Sequence, residues 1–242
     1  MRKPRSYAEV INDLDGEVIN VFRVLRNRRQ AAELERQIRL TPWSRNEFWS
    51  AYDPSEDPIE QARRTIVRVF MAFGTTGRHK NRSGFRAAPY RLSNSGVRDW
   101  MNYPDALRSF VERLQGVTIE ERPAVEIILQ QDSRETLFYC DPPYPLSTRT
   151  AVQWPSHNDR AYVHDMTDNE HRELAEVLRS IKGMAIISGY PCDLYDIELY
   201  PDWRRVEKAA IADGAKKRTE VLWISPNVPA KAGELFEVAH GQ

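Results

Sequence analysis

Residues 136–144 read Thr-Leu-Phe-Tyr-Cys-Asp-Pro-Pro-Tyr. The first five residues are mostly apolar or aromatic and predict a strand that ends at Asp141. Pro142 and Pro143 fix φ and remove two backbone donors, so the following loop presents rigid carbonyl groups. Because ligands bind at the carboxyl ends of strands in open α/β sheets, the pattern places Asp141 where a ligand binds.

The side chains at this strand end suit a planar ring that carries an amino group. The Asp141 carboxylate and the Pro142 carbonyl both accept hydrogen bonds, so together they can hold both hydrogens of an exocyclic NH₂ group. Tyr144 can stack on a base extruded from its helix. We therefore predict Asp141, Pro142, Pro143 and Tyr144 as catalytic residues. The alternative is a plain Pro-Pro turn with Asp141 as a turn residue.

Methyl transfer to adenine N6 is the chemistry that such an arrangement favours. The N6 lone pair is delocalised into the ring, so the free amine is a poor nucleophile. Acceptors on both N6 hydrogens favour a pyramidal nitrogen whose lone pair can attack an electrophilic methyl group. Catalysis would then consist mainly of positioning and electrostatic stabilisation.

Strands alternate with helices on both sides of this motif. We predict further strands at residues 7–11, 117–120, 184–188, 203–207 and 219–224. Thr167 followed by Glu170 is a capping box and predicts a helix start. This alternation predicts an α/β fold with a mainly parallel sheet and helices on both faces.

A mostly helical block interrupts the alternation. Ser44 predicts the start of one helix in this block, and Pro58 lies in the first turn of another. We therefore predict two domains: a catalytic domain formed by residues 1–40 and 115–242, and a helical insertion formed by residues 41–114.

A basic stretch lies inside the helical block. From residue 78 to residue 98 the sequence contains six Arg or Lys and neither Asp nor Glu, although the whole chain has no net charge. Basic loops with aromatic residues suit contacts to phosphates, base edges and the gap left by an extruded base. We predict DNA binding by this stretch, with a solvated loop as the alternative; the predicted residues are Arg78, Lys80, Arg82, Phe85, Arg86, Tyr90 and Arg91.

Other features narrow the class of protein. Cys140 and Cys192 are too few for a disulfide framework, and the His residues at 157, 164 and 171 have no companion Cys pair. We expect no metal. No apolar run approaches the roughly 20 residues of a membrane span, and the N-terminus has no apolar signal core. We expect a cytoplasmic protein.

The chain resembles the DNA adenine methylase family, particularly its phage-type members. The catalytic motif of that family matches Asp-Pro-Pro-Tyr at 141–144. Other family-like blocks cover nearly the whole chain: Ile-Asn-Asp-Leu-Asp-Gly-Glu (11–17), Val-Phe-Arg-Val-Leu-Arg (21–26), Leu-Thr-Pro-Trp-Ser-Arg-Asn-Glu-Phe (40–48), Met-Thr-Asp-Asn-Glu-His (166–171), Ile-Ser-Gly-Tyr-Pro (187–191) and Thr-Glu-Val-Leu-Trp (219–223).

The resemblance implies S-adenosylmethionine as the methyl donor and double-stranded DNA as the substrate. It implies that Asn12, Asp13 and Asp141 bind the cofactor, with Asp13 accepting from the ribose hydroxyls. A carboxylate at a strand end also suits two adjacent hydroxyls on physical grounds. From the residues alone, a helix cap is the favoured interpretation of Asp13.

The resemblance implies a Rossmann-like methyltransferase sheet with the helical block as a target-recognition insertion. The family pattern also has a Gly-Gly-Lys segment and a first strand followed by a Gly-rich loop, and neither pattern occurs before Asp13. Pro123 stands where relatives commonly place an Asp. We therefore expect a sheet without that first strand and loop.

Two alternative functions stay open at this point. The chain could be a DNA-binding remnant without activity, or half of a site that a second polypeptide completes with a cofactor loop. It could also methylate cytosine N4 or a protein glutamine, because both acceptors carry NH₂ donors.

Overall fold

The computed structural model describes residues 4–72, 84–87, 96–148, 163–211 and 217–229. The described residues up to Arg122, together with Val163, form one compact unit, the N-terminal unit. The remaining described residues, from Pro123 onward, form a second, the C-terminal unit. Within the described ranges, no helix has the length and apolar character needed to cross a membrane.

The N-terminal unit is mainly helical. Its elements are β1 (Glu9–Asn12), α1 (Gly16–Arg26), α2 (Arg28–Leu40), α3 (Arg45–Ser50), α4 (Pro58–Met71), α5 (Gly96–Leu114) and β2 (Val117–Glu120). The predicted Ser44 cap is confirmed, since its side chain accepts from the Asn46 backbone N–H. Pro58 occupies the first turn of α4, where a missing N–H costs nothing.

The helices of this unit bury one apolar core. Ile38 of α2, Phe48 of α3, Val67 of α4 and Leu107 of α5 are all at most 1% exposed and belong to one cluster. Trp100 is buried in the same cluster and donates from Nε1 to the Thr41 carbonyl at 3.1 Å. Burial of these side chains, rather than intrinsic helix propensity, supplies most of the stability of such helices.

Two parallel strands complete the N-terminal unit. β1 pairs with β2 in parallel, with Glu9 opposite Val117 and Asn12 opposite Glu120. Gly116 has φ of 77°, a left-handed conformation that suits glycine and turns the chain from α5 into β2. Both strands therefore end at the same edge, where Asp13 follows.

The C-terminal unit contains a four-stranded sheet in the order β3-β4-β6-β5. Its elements are α6 (Ala124–Gln131), β3 (Leu137–Cys140), a 3₁₀ turn (Leu146–Thr148), α7 (Asp168–Ser180), β4 (Met184–Gly189), a π-helical turn (Leu194–Leu199), β5 (Arg204–Ile211) and β6 (Lys217–Ile224). The predicted capping box of α7 is confirmed: Thr167 accepts from Glu170 N, and the Glu170 side chain accepts from Thr167 N.

The expectation of a mainly parallel sheet is wrong for this unit. β3 and β4 are parallel, but β6 runs antiparallel to both β4 and β5. The physical reason is the short connection between Ile211 and Lys217, which can join antiparallel neighbours, whereas parallel neighbours need a crossover of a dozen or more residues. The fold is a mixed α/β structure.

The compact units divide the chain at Arg122 and Pro123. Residues 16–40, which we assigned to a catalytic domain, form α1 and α2 and pack with the helices of residues 45–114 in one core. Compactness does not assign function, so the division into a catalytic domain and a recognition insertion stays a prediction.

Candidate active site

Asp141 stands directly after β3 in the C-terminal unit and is exposed. Because Cys140 pairs with Ile187 in the parallel ladder, the next residues on the two strands, Asp141 and Ser188, are neighbours. The Ser188 hydroxyl lies 2.8 Å from Asp141 Oδ1 and 3.2 Å from the Cys140 carbonyl oxygen. One carboxylate oxygen of Asp141 is therefore held from the adjacent strand.

The loop that follows Asp141 is anchored at its far end. Pro142, Pro143 and Tyr144 are half-buried, and Pro145 is buried. The Thr148 backbone N–H and hydroxyl both donate to the Pro145 carbonyl, at 3.0 and 2.8 Å. These two hydrogen bonds fix the backbone directly after the Asp-Pro-Pro-Tyr loop.

An aromatic pair is formed by the residues that follow the two strand ends. Tyr144 of the loop and Tyr190, which follows β4, meet edge to face with ring centroids 4.7 Å apart and an interplanar angle of 73°. Such a geometry is favourable for aromatic pairs. The two strand ends thus bring a carboxylate, a hydroxyl and two phenol rings together.

A buried aromatic layer supports this end of the sheet. A Cβ on Gly189 would lie 3.2 Å from the Trp223 ring and 3.5 Å from the Tyr195 ring, so glycine permits close packing there. The Tyr195 hydroxyl and His171 Nδ1 are hydrogen-bonded at 3.0 Å. Burial raises the pKa of the Tyr195 phenol well above its ordinary value. Tyr195 is therefore uncharged at neutral pH and acts as a packing residue.

Cys140 is equally uncharged. Burial, with a smaller contribution from the Asp141 carboxylate, raises the pKa of its thiol to about 12. The thiolate needed for nucleophilic attack is therefore scarce at neutral pH. In the part of the chain that the structure describes, no three His, Cys, Asp or Glu residues form a group that could hold a metal ion.

Asp13 directly follows β1 in the N-terminal unit and is exposed. Its Oδ1 accepts from the Asp15 backbone N–H at 2.9 Å, and its own N–H donates to the Glu120 carbonyl at 3.4 Å. The cap of α1 is Asp15, whose side chain accepts from Glu17 N. Asp13 is thus a turn residue at a strand end rather than the helix cap, and Oδ1 stabilises its own turn.

Asn12 connects the two strand ends of the N-terminal unit. Its Nδ2 donates to the Arg122 carbonyl at 2.9 Å, and its Oδ1 accepts from Arg122 N at 3.1 Å. Both atoms of the amide are engaged with the backbone that follows β2. Asn12 therefore holds the edge at which Asp13 lies.

Most of the predicted DNA-binding residues (Arg78, Lys80, Arg82, Tyr90 and Arg91) lie outside the described residues. Phe85 and Arg86 are described. The Phe85 ring packs on the N-terminal core, 5.7 Å from Phe48 and 6.3 Å from Trp43, with the Arg45 guanidinium 4.9 Å above it.

The backbone of Arg86 is also fixed to that core. Its N–H donates to the Met71 carbonyl at 2.7 Å, and its carbonyl accepts from Trp43 Nε1 at 3.0 Å. Phe85 and Arg86 thus anchor the middle of the basic stretch, a structural role that the sequence did not indicate.

A family model described as D12 class N6 adenine-specific DNA methyltransferase matches residues 1–207. The chain belongs to this family. The match includes Asp13, Asp141 and Ser188, and the resemblance found in the sequence is confirmed. The family-like block at 219–223, on β6, lies beyond the matched residues. No curated protein matches the chain.

Sequence reasoning missed Ser188 and Tyr190. Both lie in the block Ile-Ser-Gly-Tyr-Pro at 187–191, to which we gave no chemical role. A signal was present, because Ser188 is a polar residue at the end of an otherwise apolar strand, and the carboxyl ends of parallel strands share one edge of the sheet. The hydrogen-bond partner of Ser188 depends on which strand pairs with β4. The local sequence pattern does not indicate that strand.

Proposed function

We propose that the chain transfers a methyl group from S-adenosylmethionine to N6 of an adenine extruded from double-stranded DNA. The observation that carries the proposal is the position of Asp141: it directly follows β3, one of its oxygens is held by Ser188, and the Pro-Pro-Tyr loop comes next. Membership of an adenine-specific DNA methyltransferase family agrees with this chemistry.

The residues at the strand end would act on the adenine by holding its amino group. Asp141 Oδ2 and the Pro142 carbonyl accept one N6 hydrogen each, while the Tyr144 ring stacks on the base. The nitrogen becomes pyramidal and its lone pair is freed from the ring. S-adenosylmethionine would supply the methyl group for N6, with its sulfonium sulfur as the leaving group, and water would take up the extra proton of the methylated nitrogen. The chain contributes positioning and electrostatic stabilisation.

S-adenosylmethionine supplies the electrophilic methyl group when bound. The acceptor at the end of β1 fits the ribose of S-adenosylmethionine, because Asp13 is an exposed carboxylate. Its Oδ1 already accepts from the Asp15 backbone N–H, so we assign Oδ2 to the two ribose hydroxyls. Asn12 supports this role by fixing the strand end through Arg122.

We assign DNA contacts to the basic stretch between residues 78 and 98. Its charges suit phosphates, and Phe85 and Arg86 anchor it to the helical core. If Arg78, Lys80 and Arg82 contact phosphates, replacing them with Ala should weaken DNA binding and flatten its salt dependence by about 0.9 logarithmic units per lost contact. Arg36→Ala is the matched control, because Arg36 is an exposed arginine of α2 that pairs with Glu33.

The further parts of the proposal concern fold and setting. We propose that the chain has a Rossmann-like methyltransferase fold and that the protein works in the cytoplasm. The helical block of residues 41–114 would supply target recognition.

The test is methyl transfer from S-adenosylmethionine labelled in its methyl group, with unmethylated duplex DNA of mixed sequence as the acceptor. We expect label in the DNA that survives protease treatment and is released by nuclease. Label on protein instead would favour a glutamine methyltransferase and contradict the proposal.

A second candidate is a site that another polypeptide completes. Among the strands that the structure describes, β3 lies at the edge of its sheet, and Leu137 and Tyr139 on it are 52% and 63% exposed. An exposed apolar edge strand is a template for a further strand. A strand with a Gly-rich loop, supplied by a second chain, would fit there. Calorimetry separates the candidates: micromolar S-adenosylmethionine binding by this chain supports the first, and absent binding with intact DNA binding supports the second.

A further inference from the structure

Ser188 is a buried hydroxyl in a strand that is otherwise apolar. It is 8% exposed, and the preceding residues Ala185, Ile186 and Ile187 are at most 3% exposed. A buried hydroxyl needs a hydrogen-bond partner, because an unsatisfied one costs free energy. Both of its partners, the Asp141 carboxylate and the Cys140 carbonyl, lie at the end of β3.

The single hydroxyl hydrogen of Ser188 goes to the carboxylate. Asp141 Oδ1 is the nearer acceptor, at 2.8 Å against 3.2 Å for the Cys140 carbonyl. A bond to an ionised acceptor is also stronger than one to a neutral carbonyl. The Asp141 side chain is exposed, and this bond fixes one of its carboxylate oxygens to β4.

We propose that Ser188 is a positioning residue that orients the Asp141 carboxylate for the adenine amino group. This inference rests on the proposed function. The hydroxyl occupies Oδ1, so that Oδ2 and the Pro142 carbonyl form the pair of acceptors for the two N6 hydrogens. Small errors in such an alignment reduce the rate of the chemical step much more than binding of the substrate.

Ser225 provides a matched control. It is a second buried serine of the same unit, 4% exposed, directly after β6. Its hydroxyl accepts from the Ala185 backbone N–H at 2.9 Å and so also serves β4. Ser225→Ala removes a buried hydrogen bond from the same strand without touching Asp141.

The experiment measures kcat and KM for methyl transfer to duplex DNA by the wild type and by the Ala variants of Ser188 and Ser225, at a temperature where thermal unfolding shows all three folded. We expect Ser188→Ala to lower kcat about tenfold, the loss of one charge-assisted hydrogen bond, with both KM values within about twofold. Ser225→Ala should keep the wild-type kcat. Ser188→Thr, which keeps the hydroxyl, should recover kcat to within about threefold.

Three outcomes would overturn the role of Ser188. These are a wild-type kcat in Ser188→Ala, an equal loss in Ser188→Ala and Ser225→Ala, and a Ser188→Thr variant as slow as Ser188→Ala. A wild-type protein that transfers no methyl group to DNA would instead overturn the proposed function, and the role of Ser188 with it.

Discussion

Two aspartates follow parallel strands in this molecule, and they are held in different ways. Asp13 comes directly after β1, and its Oδ1 accepts from the backbone N–H of Asp15, two residues further along. Asp141 comes directly after β3, and its Oδ1 accepts from the side chain of Ser188, 47 residues away. The first arrangement is local, whereas the second exists only once β3 and β4 have paired. We assign the first to the cofactor ribose and the second to the base.

The largest expected effect comes from removing the carboxylate that we assign to the base. Asp141→Ala should lower kcat for methyl transfer about 1000-fold or more, because the oriented acceptor for the amino group is lost. DNA affinity, measured by fluorescence anisotropy, should stay within a few fold. Activity within tenfold of the wild type would show that Asp141 takes no part in the chemical step.

The second largest expected effect is on the binding of the cofactor. Replacing Asp13 should weaken the binding of S-adenosylmethionine and leave the rate of the chemical step unchanged. Asp13→Ala should raise the Kd for S-adenosylmethionine about thirtyfold, because a charged acceptor of hydroxyl hydrogens is lost. Isothermal calorimetry measures this Kd, and kcat at saturating cofactor should change little.

Asp15→Ala is the control for the local turn. Asp15 caps α1 two residues away, so its loss should cost about 1 kcal/mol of stability. It should leave the Kd for the cofactor unchanged. Equal losses of affinity in the two variants would mean that the turn matters and the Asp13 carboxylate does not.

The smallest expected effect is on the pH dependence of stability. It concerns a third aspartate, which accepts hydrogen bonds from the backbone just before β4. Asp132 accepts from the backbone N–H groups of Lys182 and Gly183, and these bonds lower its pKa below the ordinary value of 3.8. A carboxylate with a lowered pKa in the folded state stabilises the protein above its unfolded pKa. That stabilisation is lost as the pH falls through the folded pKa.

We therefore expect the wild type to lose stability faster than Asp132→Asn as the pH falls below about 4. Thermal unfolding between pH 7 and pH 3 measures the difference. Parallel curves for the two proteins would show that the two backbone N–H groups do not favour the ionised form.

The local features of this fold were predictable from the sequence, while the pairing of its strands was not. Thr167 and Glu170 lie three residues apart, so their capping box can be predicted from the local sequence alone. The strand that ends at Asp141 is likewise a local pattern. The direction of β6 relative to β4 is set by long-range pairing, and we predicted the sheet as mainly parallel when two of its three pairings are antiparallel.

The candidate site divides in the same way. Asp141 could be predicted because the sequence around it restricts the backbone and presents acceptors. Ser188 could not, because its role depends on a neighbour in space. Phe85 has a second role that its place in a basic stretch did not indicate: its ring packs on Phe48 and Trp43, while its DNA contact stays a prediction. Exposure of an aromatic side chain depends on tertiary packing, which composition does not specify.

We propose above all that Asp141 and its loop act on the amino group of adenine. Digestion of DNA methylated by this protein to nucleosides, with identification of the modified nucleoside by mass spectrometry and chromatography, tests this role. We expect N6-methyldeoxyadenosine, and we expect it to be absent from DNA treated with Asp141→Ala. N4-methyldeoxycytidine, or no modified nucleoside from the wild type, would contradict it.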